Sequence, residues 1–104
     1  MPSLIVLFNL KKDSDKEAYE KWAAETDVPT VKSLKSVDGF KVYRNLSVLG
    51  NEKGSLPYQY IEVIEINDMD GLIKDITSEL MQKVASEFQT FADNPIFIVS
   101  QQFA

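Results

Sequence analysis

Glu62 is the residue whose type and position in this sequence most favour catalysis. It lies in an apolar segment, two residues from both Tyr60 and Ile64, so its carboxyl group is expected to point into an apolar space. Loss of water raises the pKa of a carboxyl group and lets it act as an acid or a base near neutral pH. The alternatives are a solvent-exposed position like that of Glu65, or a simple ion pair with Arg44.

Arg44 is the second candidate for a catalytic role, and it is the only arginine in the chain. Its planar guanidinium group could clamp an anionic or carbonyl oxygen, or it could orient Glu62 from a neighbouring strand. The alternative is structural, with the side-chain stem packed on apolar surface and the charged head in water.

Five further residues are predicted to bind a substrate. Trp22 and Phe88 fall on the apolar faces of two predicted helices, and Tyr60 offers a phenolic donor from a strand. Thr26 and Asp27 lie where the first helix is expected to end, at the mouth of a pocket between helices and sheet. Core packing explains the aromatic residues equally well, and capping or turn formation explains the other two.

The composition removes whole classes of function. The chain has no histidine and no cysteine, which excludes a Ser-His-Asp triad, thiolate catalysis, zinc held by cysteine and haem held by histidine. Residues 68–71 match only a fragment of a calcium loop, so neither a metal nor a cofactor is expected. The net charge of -5 argues against binding to nucleic acid or to an anionic membrane.

The hydrophobic pattern predicts four strands and two main helical regions in one domain, residues 1–104. Residues 3–10 and 58–66 are apolar at both alternating sets of positions, as in strands that are covered on both faces. Residues 40–49 form a more polar strand, and residues 96–103 form the last one. Ser14 and Glu17 make a capping box for the first helix, which Pro29 should break or kink at Val28. A short helix follows residue 67, and Thr77 or Ser78 caps a longer one that ends before residues 93–95.

The element order βαββαβ favours a ferredoxin-like α+β fold. Two right-handed split βαβ units give an antiparallel sheet with the strand order 4-1-3-2 and helices on one face. This order places the two strands with two-sided apolar patterns in the centre. Because the second face of the sheet is also apolar, a copy of the same chain is expected to cover it in a symmetric homodimer.

Several segments together resemble the REDY-like HapK family. They are the opening LIVLFNLK, the helical W-x-x-E-T-D-x-P-T-V at residues 22–31, S-V-D-G-F at 36–40, P-Y-Q-Y-I-E-V-I at 57–64 and F-A-D-N-P-x-F-I-V at 91–99. Members of this family are small dimeric α/β-barrel proteins from biosynthetic clusters for prodigiosin-type pigments and related pyrrole or indole alkaloids. The resemblance implies a condensation, cyclisation or dehydration step that needs no cofactor.

The leading hypothesis is therefore a cofactor-independent enzyme for a small apolar, heteroaromatic intermediate of secondary metabolism. Two alternatives stay open: a non-catalytic protein that binds such an intermediate, and a cofactor-free monooxygenase, a class that also occurs among dimeric α/β barrels. The chain shows neither a signal peptide nor an apolar run of the ~20 residues that span a bilayer, so a cytoplasmic location is expected.

Overall fold

The computed structural model describes residues 2–104; Met1 lies outside the described residues. The elements along the chain are β1 (Pro2–Leu10), α1 (Lys16–Trp22), a π-helical segment (Ala23–Asp27), α2 (Val28–Lys32), β2 (Val37–Arg44), β3 (Tyr60–Ile66), α3 (Met69–Asp75), α4 (Glu79–Phe91) and β4 (Ala92–Gln101). No helix within this range is long and apolar enough to cross a membrane.

The four strands form one antiparallel sheet in the order β2-β3-β1-β4. This confirms the predicted ferredoxin-like α+β topology, with β1 and β3 in the centre. The helices pack on one face of the sheet and bury the side chains that these central strands direct toward them, such as Val6, Tyr60 and Ile64. Hydrophobic burial of this face against the helix layer is the main source of stability of such a fold.

Aromatic side chains make up much of the core beneath α1 and α4. The ring of Phe8 stacks on that of Tyr60 at 5.5 Å between centroids, and it meets the rings of Tyr19 and Phe88 edge-on at 5.6 and 5.0 Å. Trp22 joins from the helix layer, 6.4 Å from Phe88. This cluster fixes the position of α1 over β1 and β3.

Both α1 and α4 begin at an N-capping side chain, but the predicted cap is correct only for α4. Ser78 caps α4 as predicted, since its hydroxyl accepts a hydrogen bond from the Met81 amide. The first helix is capped by Asp15, whose carboxylate accepts from the Glu17 amide, and not by Ser14. The hydroxyl of Ser14 donates instead to the backbone carbonyl of Phe91, which ties the start of α1 to the end of α4.

Of the two predicted outcomes at Val28, a break does not occur, because this residue is helical. The chain passes from α1 into the π-helical segment, in which the Val28 amide donates to the carbonyl of Ala23. Pro29 then sits in the first turn of α2, where a missing backbone N–H costs little. The wider π turn thus lets the helix continue past a proline, and π-helical turns of this kind are frequent at functional sites.

Several strand boundaries also differ from the sequence pattern. β2 ends at Arg44 and β3 begins at Tyr60, so residues 45–59 form a longer loop than expected. β4 begins at Ala92 and ends at Gln101, because a register shift beside Leu7 and a left-handed Asn94, with φ 48°, carry the strand past Pro95. Asparagine tolerates this conformation better than most residues.

Candidate functional site

A cavity of about 350 Å³ lies between the sheet and the helix layer. The sheet contributes one wall and the helices the other, and almost all of the lining is apolar. Prominent lining residues are Leu4, Phe40, Ile64 and Phe97 from the strands, and Val31, Leu72, Met81 and Phe88 from the helices. A space of this size and polarity suits a small apolar ligand.

Glu62 lies in the sheet wall of this cavity. It occupies the middle of β3, where the register places it opposite Val6 of β1 and Val42 of β2. The side chain is therefore set in an apolar row, and the residue is only 4% exposed. Its Oε2 atom has no hydrogen-bond partner among residues 2–104. The expectation of a desolvated carboxyl group at this position matches the observed geometry.

Asp27 is the second carboxyl group in the cavity wall, and it comes from the helix layer. It ends the π-helical segment and continues a buried stripe that runs through Tyr19, Ala23 and Val31. The sequence suggested that Asp27 lies at the mouth of the pocket. The residue is only 5% exposed, so it lies inside the cavity wall instead. The structure thus brings together two acidic residues that are far apart in sequence.

The environment raises the pKa of both acids into the range of neutral pH. Burial raises the pKa of Glu62 to about 8, and the negative charge of Asp27 adds to this rise. Burial also raises the pKa of Asp27 to about 7. When the charge of one acid changes the pKa of the other, the two titrate as a pair. Near pH 7, a substantial fraction of the molecules then carries one proton on this pair.

Tyr19 lies beside this pair on the helix side. Its pKa is raised above the usual value of a phenol, first by burial and then by the charges of Glu62 and Asp27. The hydroxyl group forms no hydrogen bond of good geometry within the described chain. It is therefore a neutral phenol that is held near the carboxyl groups and is able to donate a proton in a hydrogen bond.

Arg44 does not lie beside Glu62, as one of its two predicted roles required. The register places it opposite Tyr60, and its guanidinium group binds Glu20 of α1, with Nε 2.8 Å from Oε2. The Tyr60 hydroxyl donates to the same carboxylate at 2.7 Å. Arg44 neither orients Glu62 nor forms an ion pair with it. Its bond to Glu20 holds the pKa of that acid at about 2 and fastens α1 to the sheet.

The predicted binding residues divide into two groups. Phe88 and Asp27 line the cavity. Tyr60, Trp22 and Thr26 do not: Tyr60 is buried in the aromatic core, Trp22 donates to Glu87 at 3.2 Å on the outer side of that core, and Thr26 is half-buried. The cavity lies nearer to α2, α3 and α4 than the sequence suggested.

The approach of Asp27 to Glu62 was not foreseen, although the sequence holds a signal for it. Tyr19, Ala23, Asp27 and Val31 recur at a spacing of four residues, which marks one face of a helical segment. The expected break at Pro29 concealed this pattern. In the part of the chain that the structure describes, no group of three or more ligand-type side chains is placed to hold a metal ion.

Comparison with known proteins places the chain among small ferredoxin-like proteins. The structure of HapK from Hahella chejuensis superposes with a TM-score of 0.77 at 24% identity, over 100% of this chain and 95% of that one. SnoaB from Streptomyces nogalater, described as a cofactor-independent oxygenase, gives 0.77 at 9% identity, over 99% and 93%. A dimeric ferredoxin-like protein from Bacteroides fragilis gives 0.70 at 12% identity, over 97% and 95%. None of the curated proteins matches the sequence significantly.

The structural similarities establish the fold, and a family model adds the relationship in sequence. The model of the REDY-like protein HapK matches residues 2–103, nearly the whole chain. The matched range includes every strand and helix described above, together with Asp27 and Glu62. The chain therefore belongs to the REDY-like HapK family.

Proposed function

We propose that this protein is a cofactor-independent enzyme that uses Glu62 and Asp27 as an acid–base pair on a small apolar intermediate of pyrrole or indole pigment biosynthesis. The observation that carries the proposal is the presence of both carboxyl groups in one apolar cavity. Interactions between a carboxyl group and a bound ligand are stronger in an apolar cavity than in bulk water, so the positions of the two groups strongly affect proton transfer.

The pair has the proton content that an elimination of water requires. Glu62, with the higher pKa, is the acid, and Asp27 is the base. Asp27 takes a proton from a carbon of the substrate while Glu62 gives its proton to a hydroxyl group on the adjacent carbon. The C–H electrons form the new C=C bond, the C–O bond breaks and water leaves. Transfer of a proton from Asp27 back to Glu62 restores the starting state.

The same arrangement serves a condensation or a cyclisation, since both also move one proton from carbon and one to oxygen. SnoaB, whose fold is similar, gives weight to a second candidate, a cofactor-free oxygenation. A third is binding of an intermediate without reaction, for which the apolar cavity alone would suffice. These candidates differ in product, in oxygen consumption and in their need for Glu62.

The deciding experiment incubates the purified protein with hydroxylated pyrrole and indole intermediates and follows products by mass spectrometry. We expect loss of water from one of them. Glu62→Gln, which is nearly isosteric, should lower the rate by ~10²–10⁴-fold. Glu25→Gln, which replaces an exposed acid two residues from Asp27, is the matched control and should react normally. Oxygen uptake during turnover would favour the oxygenase, and binding without product would favour the carrier.

We also infer that the protein works as a homodimer joined through the free face of its sheet. Two parallel rows of apolar side chains cross this face, one formed by Val63, Ile5 and Ile98 and the other by Ile61, Leu7 and Ile96. Ile96 and Ile98 are each 42% exposed in the single chain. A continuous apolar surface of this kind on a sheet favours association, and a second copy offers a complementary surface by symmetry.

A further inference from the structure

The charged groups around the cavity are of one sign. Asp27 and Glu62 line it, and neither lysine nor arginine does so in the described range. Arg44, the single arginine of the chain, is held at the outer surface by Glu20. The remaining polar lining consists of the uncharged amides of Gln82 and Gln89 on α4. A ligand that enters therefore meets two acids and no compensating cation.

Glu62 also offers an unused acceptor. Its Oε2 atom is buried and lacks a hydrogen-bond partner within residues 2–104. A buried polar atom without a partner is costly, and a donor supplied by a ligand removes this cost. Because Glu62 lines the cavity, the donor can come from a molecule bound there.

We propose that the cavity takes a small apolar ligand with a cationic nitrogen, such as an ammonium, amidinium or protonated imine group, and rejects ligands whose polar end is an anion. The proposal rests on the proposed function only in that it uses the same cavity. It adds the chemical class of the ligand, which the acid–base role of Glu62 does not require.

Electrostatics favours a cation in two ways. A positive nitrogen beside Asp27 and Glu62 stabilises their ionised forms, and the overall charge of -5 attracts cations from solution. Tyr19 of α1, which lies beside the pair, stays neutral, and Gln82 and Gln89 of α4, which line the same cavity, carry no charge. Binding of the cation must then release protons from the acid pair, and the affinity must rise between pH 6 and about 8, where the pair ionises.

The test compares three probes that share one ring system: 2-(2-naphthyl)ethylamine, 2-(2-naphthyl)ethanol and 2-naphthylacetate. The ring itself has no N–H group, so the side-chain group alone supplies the donor or the charge. Isothermal titration calorimetry at pH 7 gives the affinities. Repeating the titration in buffers of different ionisation enthalpy gives the number of protons released.

We expect the amine to bind at least about tenfold more tightly than the alcohol, because a hydrogen bond to a charged group contributes about this factor to the affinity. Binding of the amine should also release protons. The acetate should not bind measurably. Glu62→Gln and, independently, Asp27→Asn should each weaken the amine by about tenfold and change the alcohol by less than threefold, with circular dichroism confirming that each variant is folded. Glu25→Gln should behave as the unmodified protein.

Equal or tighter binding of the alcohol or the acetate would overturn the proposal, as would failure of all three probes to bind at millimolar concentration. If either of these binding results were found together with turnover in the mass-spectrometric assay, the proposed ligand class would be wrong and the acid–base function would stand. Tight, proton-linked binding of the amine without turnover of any intermediate would establish the ligand class and reject the enzymatic function.

Discussion

The carboxyl groups of Asp27 and Glu62 enter the same apolar cavity from opposite layers of the domain, one from the helices and one from the sheet. Each is nearly inaccessible to solvent. The charge of Asp27 helps to raise the pKa of Glu62, so neither group titrates independently. The pair is the feature of the fold that general packing requirements do not explain, because apolar residues would fill these positions at lower cost.

The buried pair predicts that stability falls as the pH rises. In the unfolded chain both acids lose their protons near pH 4, whereas in the folded chain they keep them up to about pH 7 for Asp27 and about pH 8 for Glu62. The folded state then binds more protons over this range, so the free energy of unfolding decreases with pH. Urea unfolding at pH 5, 7 and 9 measures the trend.

Glu62→Gln provides the comparison that isolates this effect. Because the amide does not titrate, the variant should gain stability relative to the unmodified protein between pH 5 and pH 9, by several kcal/mol at about 1.4 kcal/mol per pKa unit. At pH 5, the difference in the free energy of unfolding between the two proteins reports the packing and hydrogen bonding of the amide. The change of this difference with pH reports ionisation alone. A difference that is constant with pH would show that Glu62 has an ordinary pKa.

Arg44→Lys should leave the activity nearly unchanged. The guanidinium group binds Glu20 on the outside of α1 and does not reach the cavity lining. We therefore expect kcat/KM to stay within about twofold, with a slightly lower Tm, because a lysine replaces two directed bonds by a single point charge. Steady-state kinetics and thermal unfolding measure the two effects. A large loss of kcat at an unchanged Tm would instead indicate that Arg44 takes part in catalysis.

Ile98→Lys should disrupt the homodimer. Ile98 pairs with Ile5 on the free face of the sheet, so a lysine there would be buried without a partner in the interface. We expect the dissociation constant to rise by at least about tenfold. The matched control is Val99→Lys, since Val99 is the next residue of β4, is exposed and points to the other face. Sedimentation equilibrium at micromolar concentrations distinguishes them.

Two outcomes would contradict the dimer model. If the unmodified protein sediments as a monomer, the apolar face has some other role. If both lysine variants weaken the dimer equally, association involves the edge of β4 and not the face of the sheet.

Local patterns in the sequence were sufficient to predict the topology of the sheet and the burial of Glu62. Two-sided apolar runs identified β1 and β3 as central strands, and a carboxyl group between Tyr60 and Ile64 in such a strand was expected to be desolvated. These features depend on the alternation of side chains along a strand, which the sequence states directly.

The partners of the charged residues could not be foreseen, because they depend on contacts between elements. Arg44 of β2 binds Glu20 of α1, and no local pattern indicates that these two elements make this contact. Asp27 reaches the cavity because a π-helical segment carries the helix past Pro29. The rule that a residue before proline avoids helical geometry is statistical, and here the packing of the buried stripe overrides it.

The most direct test of the shared-proton pair is a ¹³C NMR titration of the side-chain carboxyl groups of Asp27 and Glu62. We predict that both resonances shift only above pH 6, and that Asp27→Asn lowers the pKa of Glu62, since a repulsive charge is removed. Independent titration of both groups near pH 4, unaffected by the substitution, would contradict the account.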